Sequence, residues 1–307
     1  MQLLLKKKGV KLVSCWRIGR GKREKVAMMP IVNKGLMAGV ERVPGWDSYA
    51  WLRHGFSTRE GGVSIVYGEG SLNLGWTKDD DPSLVAENRR RFLAVCQEAS
   101  PFQVVTIRQV HSALIRTIRE EDGVFEGKLE TADGKAVLEA DGAVTDLPGA
   151  MLGVQTADCV PVLIADVNRR AVAAIHAGWR GTVARIVEHG IATMREEYGS
   201  RPEDLVAAVG PSIGACCYAV GDEVRSEFGA QFRYADALFR AMGEGQMHLD
   251  LWEANRRQLF DAGVSAERIA VMGECTACVL SHGQRKYFSH RAERGFTGRM
   301  MSVIGVV

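Results

Sequence analysis

The sequence has 307 residues, of which 46% are hydrophobic and 25% are charged. This composition is ordinary for a globular protein and excludes a disordered or fibrous chain. A chain of this length can bury a sizeable core without disulfide or metal support. Its apolar runs are far shorter than the roughly 18 residues that a membrane-spanning helix needs. The formal net charge is only +2, but the charge is unevenly distributed.

The charge separates a basic N-terminal extension from the rest of the chain. Residues 1–30 contain nine Lys or Arg and one Glu, which leaves residues 31–307 with a net charge of −6. The basic residues of this extension are typical of a nucleic-acid-binding or membrane-surface arm or of a transit peptide. Alternatively, the natural chain begins at Met28 or Met29. The acidic remainder gives no electrostatic support for nucleic-acid binding. We therefore predict an extension over 1–30 and one domain over 31–307.

The hydrophobic pattern predicts helices around a mixed sheet. Asp81-Pro82 predicts the start of a helix, with Pro in its first turn. Further helices are predicted from Thr182 and over 251–260. The strand-like runs 160–165 and 171–175 are apolar without alternation, which indicates strands covered on both faces. The expected fold is a single α/β domain, a layered mixed β-sheet with flanking helices. The strand-like runs are 104–107, 143–145, 151–154, 160–165 and 171–175.

The densest group of reactive residues lies around a predicted β-hairpin. If 160–165 and 170–175 pair around a loop at 166–169, Cys159 faces His176 with Cβ atoms about 5 Å apart. Zinc bonds of about 2.3 Å to sulfur and about 2.1 Å to nitrogen would bridge this pair. The same proximity suits a Cys–His nucleophile pair, so the hairpin alone leaves both interpretations open.

A third ligand near Cys159 and His176 would favour a zinc site over a Cys–His nucleophile pair. His111 ends the run 104–110 at a strand-to-loop transition, as His176 does. Two His and one Cys with one open position are typical of a catalytic zinc, and the spacing alone makes His111, Cys159 and His176 candidate ligands. His189 and His248 lie in helical patterns and are not predicted to be ligands.

Two glycine-containing segments predict loops that bind an anion or another polar ligand. The segment HGFSTREGGV contains Arg59 before two glycines, but it lacks the GKS/T ending of a P-loop. The segment HAGWRG leads into the predicted Thr182 helix, so Arg180 and free N–H groups at the helix start suit a phosphate. Ordinary glycine turns are the alternative. Asn73, in NLG, belongs to a similar loop.

The seven cysteines, without a secretory signal, indicate free thiols in a reducing compartment. Cys96 lies in a helical pattern and is predicted to be buried in the core. Cys216 and Cys217 are adjacent, which is poor geometry for a shared metal or a relaxed disulfide. Cys275 and Cys278 form a Cys-x-x-Cys pair, but no second such pair is present. A four-cysteine zinc site is therefore not expected.

Together, these segments closely resemble the YfiH-like family. The family was long labelled laccase-domain or multicopper polyphenol oxidase proteins and is now understood as zinc-dependent purine nucleoside enzymes. The resemblance runs from about His54 to the C-terminus, and its most specific part is TADC followed after sixteen residues by HAGWRG. The segments are HGFSTREGGVS, NLG, RQVHS, ADGAVTD, QTADCVPVLIAD, AAIHAGWRGT, AAVGPSIGACCYAVG, ECT, SHR and GR.

The resemblance implies a layered α-β-β-α-like fold and one Zn²⁺ per chain, bound by His111, Cys159 and His176. It also implies phosphorolysis of adenosine, inosine, guanosine and S-methyl-5′-thioadenosine, and deamination of adenosine. A cytoplasmic location is expected from the free thiols without a secretory signal. The resemblance leaves the oligomeric state open, with a homodimer among the choices. Copper is not expected, because the chain has seven histidines and no His-x-His pair.

The expected reactions assign further roles. Deamination needs a carboxylate that transfers protons, and Asp158 is predicted to serve beside the catalytic Cys159 and His176. Arg59 and Arg180 are predicted to hold phosphate, and Asn73 to contact the substrate. Two other functions stay open at this point. One is a metal-free hydrolase that uses Cys159 and His176, and the other is a nucleic-acid- or partner-binding protein that acts through residues 1–30.

Overall fold

A computed structural model of the protein describes residues 38–97, 102–242 and 245–307, together with two short N-terminal strands that form an antiparallel pair. The predicted boundary at residue 30 lies outside the described residues. In chain order the strands are β1 (Ile18–Gly19), β2 (Lys22–Arg23), β3 (Val40–Glu41), β4 (Leu52–Ser57), β5 (Gln103–Thr106), β6 (Ile115–Thr117), β7 (Gly142–Thr145), β8 (Ala150–Thr156), β9 (Val160–Asp166), β10 (Val172–Ala177), β11 (Leu205–Val209), β12 (Ala219–Val220), β13 (Phe239–Met242), β14 (Gln246–Leu249), β15 (Ile269–Val271), β16 (Leu280–Ser281), β17 (Gln284–Arg285) and β18 (Met300–Val306).

The helices of the described residues are short or of moderate length. None of them is long and apolar enough to cross a membrane. The helix predicted to begin at Asp81-Pro82 is confirmed, and the one predicted over 251–260 is also present. The α-helices are α1 (Pro82–Gln97), α2 (Trp179–Val183), α3 (Ile186–Tyr198), α4 (Asp222–Gln231) and α5 (Leu251–Asp261).

Two mixed sheets form the centre of the domain. The six-stranded sheet has the order β15-β11-β9-β10-β7-β6, and the five-stranded sheet has the order β3-β4-β18-β8-β5. In the first sheet, β9 pairs antiparallel with both β10 and β11, while β15 runs parallel to β11. In the second, β18 lies antiparallel between β4 and β8. The predicted mixed α/β fold is therefore confirmed.

Apolar side chains join four layers. Phe92 of α1 packs in one cluster with Met151 of the five-stranded sheet. Leu163 of β9 belongs to the cluster between the two sheets, and its neighbour Ile164 belongs to the cluster beneath α3 and α5. Both residues are fully buried. Because successive side chains of a strand point to opposite faces, β9 is covered on both faces, as its unbroken apolar sequence predicted.

The register of the β9–β10 hairpin differs from the predicted one. His176 pairs with Pro161, not with Cys159, and Val172 pairs with Ala165. The connection between the two strands spans 167–171 and not 166–169. The reason is local, because the Asp166 side chain accepts hydrogen bonds from the backbone N–H groups of Asn168 and Arg169 and so moves the turn one residue along the chain.

The helix predicted from Thr182 begins earlier and is interrupted. Helix α2 begins at Trp179, and the N–H of Thr182 donates to the Gly178 carbonyl oxygen at 2.8 Å. Arg185 has a φ of 58°, a left-handed conformation that separates α2 from α3. The N–H groups of the first helical turn therefore belong to residues 179 to 181, earlier than a start at Thr182 predicted.

His54 is expected to make the stability of the domain depend on pH. It is 1% exposed, and its Nε2 accepts a hydrogen bond from the Val43 N–H. Burial and the charge of Arg42 lower the pKa of His54 from 6.5 to about 4. Between these two values the unfolded chain binds a proton that the folded chain does not, so stability falls as the pH falls. From pH 7 to 4.5 the loss is about 2 kcal/mol.

Urea unfolding of the wild type and of His54→Gln at pH 7 and pH 4.5 would measure this loss. The variant is expected to be less stable at pH 7, because Gln fits the Val43 contact less well, but to lose about 2 kcal/mol less on acidification. Equal losses in the two proteins would show that His54 does not control this pH dependence.

Candidate functional site

The three predicted metal ligands meet at one end of the six-stranded sheet. His111 lies in the loop before β6, Cys159 directly precedes β9, and His176 is near the end of β10. One nitrogen of each imidazole and the Cys159 sulfur all lie within 4.8 Å of one another. The alternating strand directions bring these three chain segments together, although the hairpin pairs differently from the prediction. The cluster could hold a metal ion.

Unusual backbone conformations aim these ligands at one another. His111 has a φ of 59° and Asp158, next to Cys159, has a φ of 89°, a region that non-glycine residues rarely adopt. Gly178 lies against the cluster, where an added Cβ would be 3.2 Å from Cys159 Sγ and 3.3 Å from a ring carbon of His111. The site thus has little room for a side chain at position 178.

Asp141 connects two of the ligands and was not singled out as a site residue from the sequence. Its Oδ1 is 2.9 Å from His176 Nδ1 and accepts from the His111 N–H at 3.0 Å. Its Oδ2 accepts from both the N–H and the hydroxyl of Ser112 and from the Val110 N–H. The carboxylate therefore fixes the His111 loop and leaves Nε2 as the ring nitrogen of His176 that is free for a metal. The only sequence signal was its place in ADGAVTD, at the start of β7.

The electrostatics of the cluster favour a thiolate. Burial opposes ionisation of Cys159, but the charge of His176 and hydrogen bonds from His111 and His176 outweigh it and lower the pKa of the thiol. Burial also opposes protonation of His176, but Cys159 and Asp141 outweigh it and raise the pKa of the imidazole. A thiolate is the form of cysteine that binds metals and attacks electrophiles. The site is therefore suited both to metal binding and to nucleophilic catalysis.

A cavity of about 650 Å³ opens over the cluster. This volume lies within the range that binds small molecules and cofactors. Three arginines line the cavity, Arg180, Arg291 and Arg299, and none of them forms an ion pair with another residue that the structure describes. The lining combines these cationic groups with apolar and aromatic ones: Ile107, Gln109, His111, Gln155, Thr156, Ala157, Asp158, Cys159, His176, Trp179, Arg180, Ile213, Tyr218, Leu251, His290, Arg291 and Arg299.

Asp158, the carboxylate predicted to transfer protons, lines the cavity and accepts several hydrogen bonds. Its Oδ1 accepts from the hydroxyls of Thr276 and Ser289, both at 2.7 Å. Its Oδ2 accepts from the Arg291 N–H at 2.6 Å. Asp158 therefore joins the loop before β9 to two distant segments of the chain, which sequence spacing could not indicate.

Arg180 lines the cavity, whereas Arg59 and Asn73 do not. The Arg180 guanidinium is exposed and stacks on the Trp179 ring at 4.4 Å. The Arg59 guanidinium instead pairs with Glu293 at 2.9 Å, so its charge is already matched in another part of the molecule. These contacts do not support the predicted phosphate role of Arg59.

Asn73 is fully buried, and its amide serves the protein itself. Its Oδ1 accepts from the Arg299 N–H at 2.9 Å, and its Nδ2 donates to Asp80 at 2.7 Å. It therefore orients Arg299, which does line the cavity, and the predicted direct contact with substrate has no support in this geometry. In the sequence, Arg299 was marked only by the GR pair among the segments of the family resemblance.

The fold and the site define a layered α/β protein with a His-Cys-His donor cluster beneath a cationic cavity. The chain belongs to the family described as multi-copper polyphenol oxidoreductase laccase, whose profile matches residues 53–307. It is 38% identical over 269 residues to purine nucleoside phosphorylase YlmD of Geobacillus stearothermophilus, with 84% of this chain and 95% of that protein covered. The predicted family is thereby confirmed.

Two further comparisons agree with this membership. The chain is 37% identical over 250 residues to a protein named adenosine deaminase RL5 from an unknown prokaryotic organism, with 79% of this chain and 92% of that protein covered. The crystal structure of YlmD from Geobacillus stearothermophilus has a TM-score of 0.76 to this chain at 35% identity. That match covers 88% of this chain and 99% of the YlmD chain.

Proposed function

We propose that this protein is a zinc-dependent purine nucleoside enzyme. The phosphorolysis substrates we propose are adenosine, inosine, guanosine and S-methyl-5′-thioadenosine, and the second reaction is deamination of adenosine to inosine. The observation that carries the proposal is the His111, Cys159 and His176 cluster beneath a cavity of nucleoside size. Relatives named purine nucleoside phosphorylase and adenosine deaminase support the choice of substrate.

The donor set fits zinc. Two imidazoles and one thiolate with an open fourth position are a common catalytic zinc site, and the Asp141 contact to His176 is the outer support that such ligands usually have. When bound, zinc supplies Lewis-acid activation of an oxygen nucleophile. The copper oxidation named in the family description has no comparable support, because the chain has seven histidines and no His-x-His pair.

In phosphorolysis, a phosphate oxygen forms a bond to C1′ of the ribose while the bond from C1′ to the purine nitrogen breaks. The products are the base, which takes up a proton, and ribose 1-phosphate. We assign phosphate binding to Arg180 and Arg299, because both line the cavity and a guanidinium pairs well with phosphate oxygens. Ile213 and Tyr218 offer apolar and aromatic surface for the base.

In deamination, water adds at C6 of adenine and ammonia leaves. A proton must reach the ring and the departing amine, and we assign its transfer to Asp158, the carboxylate next to Cys159 that lines the cavity. Its Oδ2 accepts one hydrogen bond in the structure, from the Arg291 N–H. Thr276 and Ser289 hold the other oxygen and so fix the position of the carboxylate.

One assay tests the proposed activity. Metal-analysed protein is incubated with adenosine, with and without phosphate, and the products are separated by chromatography. We expect inosine in both reactions, and adenine and hypoxanthine only with phosphate, because the inosine formed is itself a proposed substrate of phosphorolysis. Zinc-loaded protein that forms none of these products, and that also leaves inosine, guanosine and S-methyl-5′-thioadenosine unchanged with phosphate, would overturn the proposal.

Arg180→Gln is expected to separate the two reactions. Loss of one charged hydrogen-bonding group to phosphate should raise the KM for phosphate about 10- to 100-fold. Deamination uses no phosphate and should keep its rate. Arg195→Gln, an exposed arginine in the last turn of α3, is the matched control and should leave both reactions unchanged. Equal losses of both reactions in Arg180→Gln would contradict the phosphate assignment.

A metal-free hydrolase is the second candidate, because Cys159, His176 and Asp141 also have the order of a nucleophile, base and orienting acid. His111 favours the metal, since a triad of this kind has no use for a second imidazole within 4.8 Å of the thiol. Zinc-free protein that is active and is blocked by a thiol alkylator would establish the hydrolase.

The nucleic-acid- or partner-binding alternative depends on residues 1–30. Apart from β1 and β2, these lie outside the described residues. We propose that this extension takes no part in the reaction, because every residue to which we assign metal binding, phosphate binding, base contact or proton transfer lies between His111 and Arg299.

A further inference from the structure

Four cysteines form a second candidate metal site apart from the proposed catalytic cluster. The sulfur atoms of Cys216, Cys217, Cys275 and Cys278 all lie within 4.8 Å of one another. We propose that these four thiolates bind a structural zinc ion. A zinc–sulfur bond of about 2.3 Å gives a tetrahedron whose sulfur atoms are about 3.8 Å apart. The Cys216 and Cys278 sulfurs are 3.6 Å apart, close to that spacing.

The topology explains how the two cysteine pairs meet. Strands β11 and β15 are parallel neighbours, so the chain leaves both at the same end of the sheet. Cys216 and Cys217 follow β11, and Cys275 and Cys278 follow β15. The N–H of Cys217 donates to the Gly214 carbonyl oxygen in a turn, which brings adjacent side chains to the same centre. The sequence argument against a shared metal was based only on the adjacency of Cys216 and Cys217.

The backbone around Cys275 suits a thiolate. The N–H groups of Gly214 and Ala277 donate to the Cys275 sulfur, the first at 3.3 Å, and Cys275 is 3% exposed. Four thiolates around one divalent ion carry a net negative charge. Arg285 lines a small surface cavity together with Cys278 and donates to the Ala277 carbonyl oxygen, so a cation is present to offset that charge.

The neighbouring loop is also held in place. His248, which lies in β14 and not in the helix that its sequence context suggested, donates from Nδ1 to the Ala215 carbonyl oxygen at 2.6 Å. Trp252 of α5 donates to the Ser212 hydroxyl at 2.7 Å. The site would therefore form on a largely preformed loop, which lowers the entropy cost of binding.

This zinc would stabilise one wall of the large cavity. Thr276, between two of the cysteines, donates to Asp158, and the N–H of Ile213 donates to the Asp158 carbonyl oxygen. Ile213 and Tyr218, on either side of the first cysteine pair, both line the cavity. The four-cysteine site is thus a positioning element, and none of its ligands needs to contact substrate.

Metal content tests the proposal directly. The purified full chain should contain close to two zinc ions, the Cys159→Ala variant close to one, and the Cys216→Ser/Cys278→Ser double variant also close to one. Cys96→Ala removes a buried cysteine of the core, is the matched control, and should keep two. A wild type with a single zinc ion that Cys159→Ala removes, or a double variant that keeps two, would overturn the proposal.

Thiol alkylation of the wild type gives a second test that does not depend on how the variants fold. With zinc bound, the four cysteines should resist iodoacetamide, and after treatment with a strong chelator mass spectrometry should find them modified. Modification of these cysteines at the same rate before and after chelation would contradict the assignment. So would a disulfide between Cys216 and Cys278, or iron in place of zinc, in the protein as purified. Neither test uses a nucleoside, so failure here is distinct from failure of the proposed activity.

Discussion

Alanine in place of His111 or Cys159 is expected to abolish zinc binding at the proposed catalytic site. Each change removes one of three donors that lie within 4.8 Å of one another, and two remaining donors are too few to hold the ion against water and chelators. Because the ion is proposed to provide several kcal/mol of transition-state stabilisation, both activities should fall at least about 1,000-fold. Zinc content and the rates of phosphorolysis and deamination are measured on the same samples.

The four-cysteine site serves as an internal reference for this experiment. Its zinc should remain in His111→Ala and Cys159→Ala, so the zinc content should fall by one ion per chain and not to zero. His189→Ala is the matched control, because His189 is exposed on α3 and its ring forms a 3.3 Å hydrogen bond with the Ala113 carbonyl oxygen, away from the donor cluster. Full activity in a His111→Ala protein that has lost its zinc would refute the catalytic role of the metal.

Asp141→Asn is expected to weaken the same site without removing a ligand. The Asp141 carboxylate accepts hydrogen bonds from the His176 ring and from three consecutive backbone N–H groups, and it is fully buried. An amide can offer only one oxygen, and its NH₂ group would face donors. Zinc affinity should therefore fall about 10- to 100-fold. The free energy of unfolding should also fall, by about 3 kcal/mol, because a buried charged hydrogen-bond network is broken.

A chelator competition with zinc-loaded protein measures the affinity, and urea unfolding measures the stability. Asp146→Asn is the matched control, since Asp146 is exposed just beyond the other end of β7, and both quantities should stay at wild-type values. If zinc added in excess restores the activity of Asp141→Asn, the residue acts by positioning His176. Wild-type zinc affinity in this variant would exclude the proposed role.

Sequence reasoning identified the candidate ligands better than it identified their geometry. The hairpin argument paired Cys159 with His176 and was displaced by two residues in register, because the Asp166 side chain moves the turn. The sulfur still approaches the imidazole, since the left-handed Asp158 turns the chain just before β9. One polar side chain such as Asp166 can shift the turn of a hairpin through its local hydrogen bonds. The hydrophobic pattern does not predict such a shift in register.

Residues that act over long sequence distances were harder to find. Asp141 lies 35 positions from His176, and Asn73 holds Arg299 across 226 positions. Arg59 stood in a convincing loop sequence, yet Glu293 already neutralises its charge. The two cysteine pairs were judged separately because nothing in the spacing shows that β11 and β15 are neighbours. For the two cysteine pairs, the missing information was the order of strands in the sheet.

The three proposed ligands all lie at one end of the six-stranded sheet, and the turn between β9 and β10 lies at the other end. The ligands precede β6 and β9 or end β10, while the hairpin turn after β9, exposed at residues 168–170, closes the opposite end of that strand. Seven residues of strand place that turn roughly 20 Å away from the cluster. Exposed turns are where chains best tolerate inserted sequence. The turn after Arg169 is therefore the natural attachment point for a reporter peptide or surface tether that leaves the reactive end unobstructed.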